Sequence, residues 1–141
     1  MSKAFTKESD DAPEPPPLRR GVAVPDPNYM TPVGARAARG ELASCTDEAR
    51  IRELTDHLAT AQIVEPPADR AVVSLGATVA IEDASGRRTR YRIVGALEAD
   101  ARRGQLFWQS PLAAALYGAR VGDAVVLPRG GEAEVVAIDY E

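Results

Sequence analysis

One cysteine, Cys45, and one histidine, His57, stand in 141 residues. A lone thiol excludes an intramolecular disulfide framework, and with a single imidazole it cannot complete a Cys/His metal site, so neither metal nor cofactor is expected. Aromatic residues are scarce at 5% of the chain, which leaves a core to Val, Ile, Leu and Ala and little material for a wide aromatic pocket. No stretch approaches the roughly 18 apolar residues of a membrane span, and MSKAFTKESDD lacks the apolar centre of a signal peptide. A cytoplasmic chain with no membrane partner is the expectation. Basic excess is missing too. The formal charge is −4 with 27% charged residues, against the footprint of an autonomous nucleic-acid binder, so a protein partner is expected.

What is present divides the chain in three. Residues 1–27 carry six of the eleven prolines beside acidic stretches with almost no apolar periodicity, and read as a disordered tail. Within it the Phe5 to Asp11 segment is the alternative partner-binding element. Over residues 28–65 the pattern becomes helical. Thr31 and Pro32 form an N-cap and N1 pair ahead of Ala/Arg-rich sequence to Leu42, while Gly34 and Gly40 each cost up to ~1 kcal/mol relative to Ala, so this helix needs a packing partner. Thr46 reads as a second N-cap with Asp47 and Glu48 in the first turn, and Ile51, Leu54, Leu58 and Ala61 form an apolar seam. Two short antiparallel helices are predicted, with His57 at the seam's edge. Pro66-Pro67 ends the hairpin.

From Ala71 onward the period changes from helical to alternating, with Val79 and Ile81 on one strand and Thr89, Tyr91 and Ile93 on the next, joined by Ala84-Ser85-Gly86. A third strand over Leu106 to Gln109 follows, then a short helix over Pro111 to Tyr117 with Ser110 as cap and Gly118 as stop. Ala124 to Leu127 and Ala133 to Tyr140 flank a Pro-Arg-Gly-Gly turn and close a sheet of about five strands. The fold class is α+β.

The run SPLAAALYGARVGDAV (Ser110 to Val125) resembles the C-terminal domain of the GreA/GreB transcription elongation factors. The likeness continues through VSLGATVAIEDASG, RYRIVG and EADARRGQL, with a closing strand at Glu134 to Tyr140, and covers roughly residues 71 to 141. It implies an FKBP-like antiparallel sheet with one short helix over residues 66–141. NYMTPVGARAARGEL and ARIRELTDHLATAQIVEPP are similar to the segments that open and close the family's long coiled-coil hairpin, but only Ala43 to Glu48 lies between them. A helix of about 12 residues spans roughly 18 Å, whereas a hairpin threading the polymerase secondary channel must reach several tens of ångströms. The resemblance thus implies bacterial RNA polymerase as partner, contacted at the rim of its largest subunit near the secondary channel. It also implies that transcript-cleavage stimulation, which the family performs with an acidic pair at the hairpin tip, is lost. Asp47 and Glu48 match no tip motif and receive no metal role.

By the same resemblance, the loop before the short helix, Gln109, Ser110 and Pro111, is the docking element. Helix capping by Ser110 and Pro111 is the competing structural reading. Trp108, Ala114, Tyr117, Arg90 and Arg92 are accessory contacts, although Ala114 and Tyr117 stand where the family more often has Arg and an aliphatic residue. Arg88, Arg90 and Arg92 share one strand face and form a basic stripe for nucleic acid, or else a solvated face neutralised across strands by Glu132 and Glu134. Phe107 and Trp108, as strand neighbours, are expected on opposite faces. No nucleophile or carboxylate pattern stands beside His57, so no enzyme is expected. The competing functions are a protein or RNA adaptor outside transcription, and a peptidyl-prolyl isomerase suggested by the fold alone.

Overall fold

The computed structural model describes residues 17–140. A helical hairpin at one end packs on a sheet domain at the other. The hairpin rises from two short strands, β1 (Tyr29–Met30) and β2 (Gln62–Ile63), which pair in parallel with Tyr29 opposite Gln62. Parallel neighbours need a crossover, and the hairpin itself provides it. Helix α1 (Pro32–Ser44) starts as expected: Thr31 Oγ1 accepts from the Gly34 amide at 2.9 Å and Pro32 takes the first helical position. Three residues later α2 (Glu48–Ala59) begins. Its cap is Asp47, whose Oδ1 accepts from the Ala49 amide at 3.1 Å, not Thr46. The carboxylate two positions from that amide meets it through an Asx-type turn, which leaves Thr46 outside the helix.

The seam is also shifted. Leu54, Leu58 and Ala61 pack with Ala35, Ala38 and Leu42 of α1, but Ile51 is outside this cluster and the buried positions on α2 are Arg50, Leu54 and His57. The reason is a third element. Residues 17–27, expected within a disordered tail, lie along the hairpin and cover the Arg50 and His57 side. Leu18 joins the hairpin cluster, Arg50 Nη1 donates to the Arg19 carbonyl at 2.8 Å, and Glu53 Oε2 accepts from the Val22 amide at 2.8 Å. His57 is therefore fully buried at 1% exposure, its Nε2 2.8 Å from the Val22 carbonyl, and not at a seam edge. The Phe5 to Asp11 segment lies outside the described residues.

In the sheet domain the strand order is β5-β4-β3-β7-β6, comprising β3 (Thr78–Asp83), β4 (Arg88–Val94), β5 (Gln105–Phe107), β6 (Ala124–Val126) and β7 (Glu132–Asp139). The alternation predicted for β3 is its burial pattern, with Val79 and Ile81 inside. Three neighbour pairs are antiparallel. The fourth is not: β5 runs parallel to β4, Ile93 opposite Leu106, because two 3-10 turns at Ala96–Glu98 and Ala101–Arg103 return the chain to the edge of β4. Gly104 permits this return, since its φ of +75° is left-handed and a Cβ there would stand 2.8 Å from the Arg90 carbonyl. Helix α3 (Pro111–Leu116) crosses the concave side and buries Ala113 and Leu116 against Val73, Leu75, Val79, Ile93, Val125 and Val135. Each such Val, Leu or Ile contributes roughly 1.5–3 kcal/mol when removed from water.

Hairpin and sheet domain meet closely. Leu97 belongs to the hairpin's apolar cluster, and its carbonyl accepts from the Arg19 amide at 2.7 Å. Thr31 Oγ1 also donates to Glu98 Oε1 at 2.7 Å, and the Glu98 carboxyl sits where a side chain on Gly34 would be. That contact explains Gly34, a costly residue for a helix interior, whereas nothing lies within 4 Å of Gly40.

Candidate functional site

The expected docking tripeptide is a turn between β5 and α3. The Ser110 amide donates to the Phe107 carbonyl at 2.8 Å, and Ser110 Oγ caps the helix by accepting from the Ala113 amide at 3.3 Å. Pro111 fills the first helical position, so the structural role of both residues is real. It leaves their outer surfaces available: Gln109 and Pro111 are exposed and Ser110 is half-buried.

On one side of this turn lies a shallow depression of about 690 Å³ lined by Trp108, Gln109, Ala114 and Tyr117, which gathers three of the accessory residues with one of the tripeptide. Tyr117 is 44% exposed, but its hydroxyl is fixed, accepting from the Leu75 amide at 3.2 Å with Ser74 Oγ at the same distance. Trp108 packs its ring against Tyr29 at the hairpin base, centroids 5.0 Å apart, so this surface is continuous with the domain junction. Trp108 packs on the sheet-domain core and Phe107 does not, yet the two rings are not fully parted. The strand ends at Phe107, both rings are half-buried, and they meet edge-on at 5.9 Å.

On the other side a groove of about 570 Å³ runs under α3, with Ser110 and Pro111 at its mouth, Tyr91, Leu106, Leu112 and Leu127 among its lining, and Arg87 and Arg129 contributing charge. Tyr91 is its one aromatic lining residue. Arg129 and Leu112 are surface features that sequence reading missed, because nothing local in the sequence ties the 128–131 turn to the 83–87 turn.

The basic stripe is not part of this surface. Arg88 is paired to Glu82 directly across the β3–β4 register at 2.8 Å, so the neutralising acid is Glu82 and not Glu132 or Glu134. Arg90 is exposed on β4, and Arg92 is half-buried and lines a separate cavity at the hairpin junction. Neither borders the two depressions around the tripeptide.

A buried polar cluster holds the hairpin. Arg50, with a side chain 1% exposed, donates through Nε and Nη2 to Glu41 at 2.7 and 2.9 Å and through Nη1 to Glu53 at 2.8 Å. Its hydrogen bond to Glu41, aided by Glu53, holds the guanidinium above its already high ordinary value, although burial opposes this. The same bond holds the Glu41 carboxyl below the usual range. For Glu53 the largest influence, burial, pushes upward, but the Val22 amide and Arg50 together reverse it and the carboxyl ends low. Glu98 goes the other way: burial raises it, and Thr31 and Arg92 only partly offset that. At the tip Asp47 is engaged as a cap, Glu48 is exposed, and no group of three His, Cys, Asp or Glu side chains among the described residues is placed to hold a metal. No helix there is long and apolar enough to cross a membrane.

Residues 68–140 match the family model described as transcription elongation factor, GreA/GreB, C-term. The GreA of Anaeromyxobacter sp. (strain K) is 37% identical over 133 residues, covering 83% of this chain and 79% of that protein. The GreA of Paracoccus denitrificans is 44% identical over 98 residues, covering 66% of this chain and 62% of its own length. Among solved structures, Gfh1 of Thermus thermophilus matches with 28% identity and a TM-score of 0.46 over 79% of this chain and 98% of its own. With a family model matched over more than half its length and a relative of this identity covered over most of its own, this chain belongs to the GreA/GreB family of transcription elongation factors.

Proposed function

We propose that this chain is a regulator that binds bacterial RNA polymerase through the Gln109-Ser110-Pro111 turn and its flanking depressions, near the secondary channel rim of the largest subunit, and that it does not stimulate transcript cleavage. It acts in the cytoplasm, where polymerase is, and is not itself an enzyme. One observation supports the reading: the family-like turn at Gln109-Ser110-Pro111, with Gln109 and Pro111 exposed, stands beside a hairpin whose helices have only 13 and 12 residues. At 1.5 Å per residue these arms extend about 18–20 Å from the base. That is short of a channel several tens of ångströms deep, and of the two acids at the tip Asp47 is engaged in capping α2.

The test uses the full-length chain and purified core polymerase in two assays. Binding should be saturable and competed by a full-length GreA, and Pro111→Asp should weaken it at least about tenfold, a loss of roughly 1.4 kcal/mol or more. On backtracked elongation complexes the chain should release no short 3′ RNA fragments, while a full-length GreA does so in parallel. Cleavage by this chain, or no affinity for polymerase, overturns the proposal. The second outcome would favour an adaptor outside transcription.

A further inference from the structure

At the junction of hairpin and sheet domain lies a cavity of about 210 Å³ that the docking surface does not use. Thr31, Val33 and Arg36 at the start of α1 form one wall, Glu65 in the linker another, and Gly76 and Arg92 of the sheet domain the third. We propose that this cavity is a binding site for a phosphate-sized oxyanion held between Arg36 and Arg92.

Charge points to an anion. The ion pairs among the described residues engage Arg20, Arg50, Arg88, Arg103 and Arg120, and neither Arg36 nor Arg92. Arg92 Nε is sealed from the cavity and without a hydrogen-bond partner among the described residues, as are Gln105 Oε1 on its register partner in β5 and Glu98 Oε2, so an occupant can meet Arg92 only through its terminal Nη groups. Glu65 is the single acid on the cavity wall against two arginines.

Size sets the ligand class. At about 30 Å³ per water in the liquid, the cavity has the volume of several waters, enough for a phosphate or diphosphate group but not for a whole nucleotide. Guanidinium groups suit such oxygens because their donors lie in one plane and meet two oxygens at once. Since the two arginines belong to different halves of the molecule, an occupant bridges them and fixes the hairpin's direction relative to the sheet domain.

The experiment is an amide-resolved NMR titration of the full-length chain with inorganic phosphate, then pyrophosphate, then a nucleoside diphosphate, each against chloride at equal ionic strength. Saturable shifts at Val33, Gly76 and Arg92 are expected. Arg36→Gln should weaken binding about tenfold, Glu65→Gln should tighten it, and Arg52→Gln, exposed on α2 and outside the cavity lining, should leave it unchanged. Arg36 is exposed, so its replacement tests the site without threatening the fold. Binding of the free anions alone identifies a free phosphate species as the source, and equal binding of the diphosphate ester identifies a phosphorylated ligand whose remainder stays outside. No saturable shift at tens of millimolar phosphate, or shifts unaffected by Arg36→Gln, would overturn the inference.

Discussion

Replacing Arg50 by Met keeps much of the buried stem and removes the guanidinium that joins α1, α2 and the leading segment. Removing one partner of a fully buried ion pair costs about 3–5 kcal/mol. Here the acids keep 31% and 19% side-chain exposure, so water recovers part of that and about 2–3 kcal/mol remains. With an unfolding entropy of about 2.1 cal/mol/K per residue, a chain of this size loses about 7–10 °C in Tm at pH 7. The pH dependence has a definite sign. Glu41 and Glu53 are both held below their ordinary value of 4.5 in the folded state. Their contribution is therefore present above that value and lost as pH falls through the folded values. Scanning calorimetry of wild type and Arg50→Met from pH 7 down to pH 3 should give a gap that narrows on acidification. A drop under about 2 °C at pH 7, or a gap that persists unchanged in acid, would refute the assignment of Arg50 as the hairpin's clasp.

Glu98→Gln reverses that sign. The folded carboxyl is raised by burial, so its contribution is fully present below its ordinary 4.5 and is lost as pH rises through its folded value. The amide variant should gain on wild type in denaturant titrations between pH 4 and pH 8, and a constant offset would contradict this. Gly95→Ala should destabilise by about 1–3 kcal/mol, because its Cβ would stand 2.5 Å from the Tyr29 backbone carbonyl, which no rotamer change can relieve. Gly40→Ala, with nothing within 4 Å, should instead stabilise by about 0.5–1 kcal/mol in the same unfolding assay. Ser110→Ala should lower stability by about 1 kcal/mol through the lost cap while reducing polymerase affinity less than Pro111→Asp does, as measured by thermal melts and binding isotherms side by side.

The parts of this fold written in local chemistry were legible in the sequence. Thr31-Pro32 and Ser110-Pro111 cap α1 and α3 as read, and the alternation around Val79 and Ile93 gives β3 and β4. What failed to show was non-local. The Pro-rich leader has no pattern of its own, yet residues 19 and 22 offer carbonyls to Arg50 and His57 on α2. An extended chain needs no periodicity to do this, so composition alone reads as disorder. The same contact rotates the buried stripe of α2 from Ile51 toward Arg50. Two-residue strands such as β1 and β2 are too short to carry a period, and the parallel entry of β5 depends on Gly104 meeting the Arg90 backbone. The 109–111 turn was legible as a helix cap and its assignment to docking came from likeness alone, while the two depressions beside it depend on residues distant in sequence, such as Tyr91, Leu127 and Arg129.

A hairpin this short persists because it is held from outside. Isolated helices of 12 or 13 residues are marginal in water, since nucleation is costly and few bonds follow it. A long coiled coil offsets this along its own seam. This one has few seam positions, and it is held instead from outside: by the leading segment through Arg50, by Leu97 in its apolar cluster, and by Glu98 against the cap of α1. All three attachments lie on or beside the sheet domain, so what they fix is direction as well as folding. A finger tied in this way cannot make up for missing length by swinging, and its tip stays about 20 Å from the base. On the proposed reading docking and reach are separable, and a variant of the 109–111 turn that loses polymerase binding while keeping its Tm would place docking in that turn.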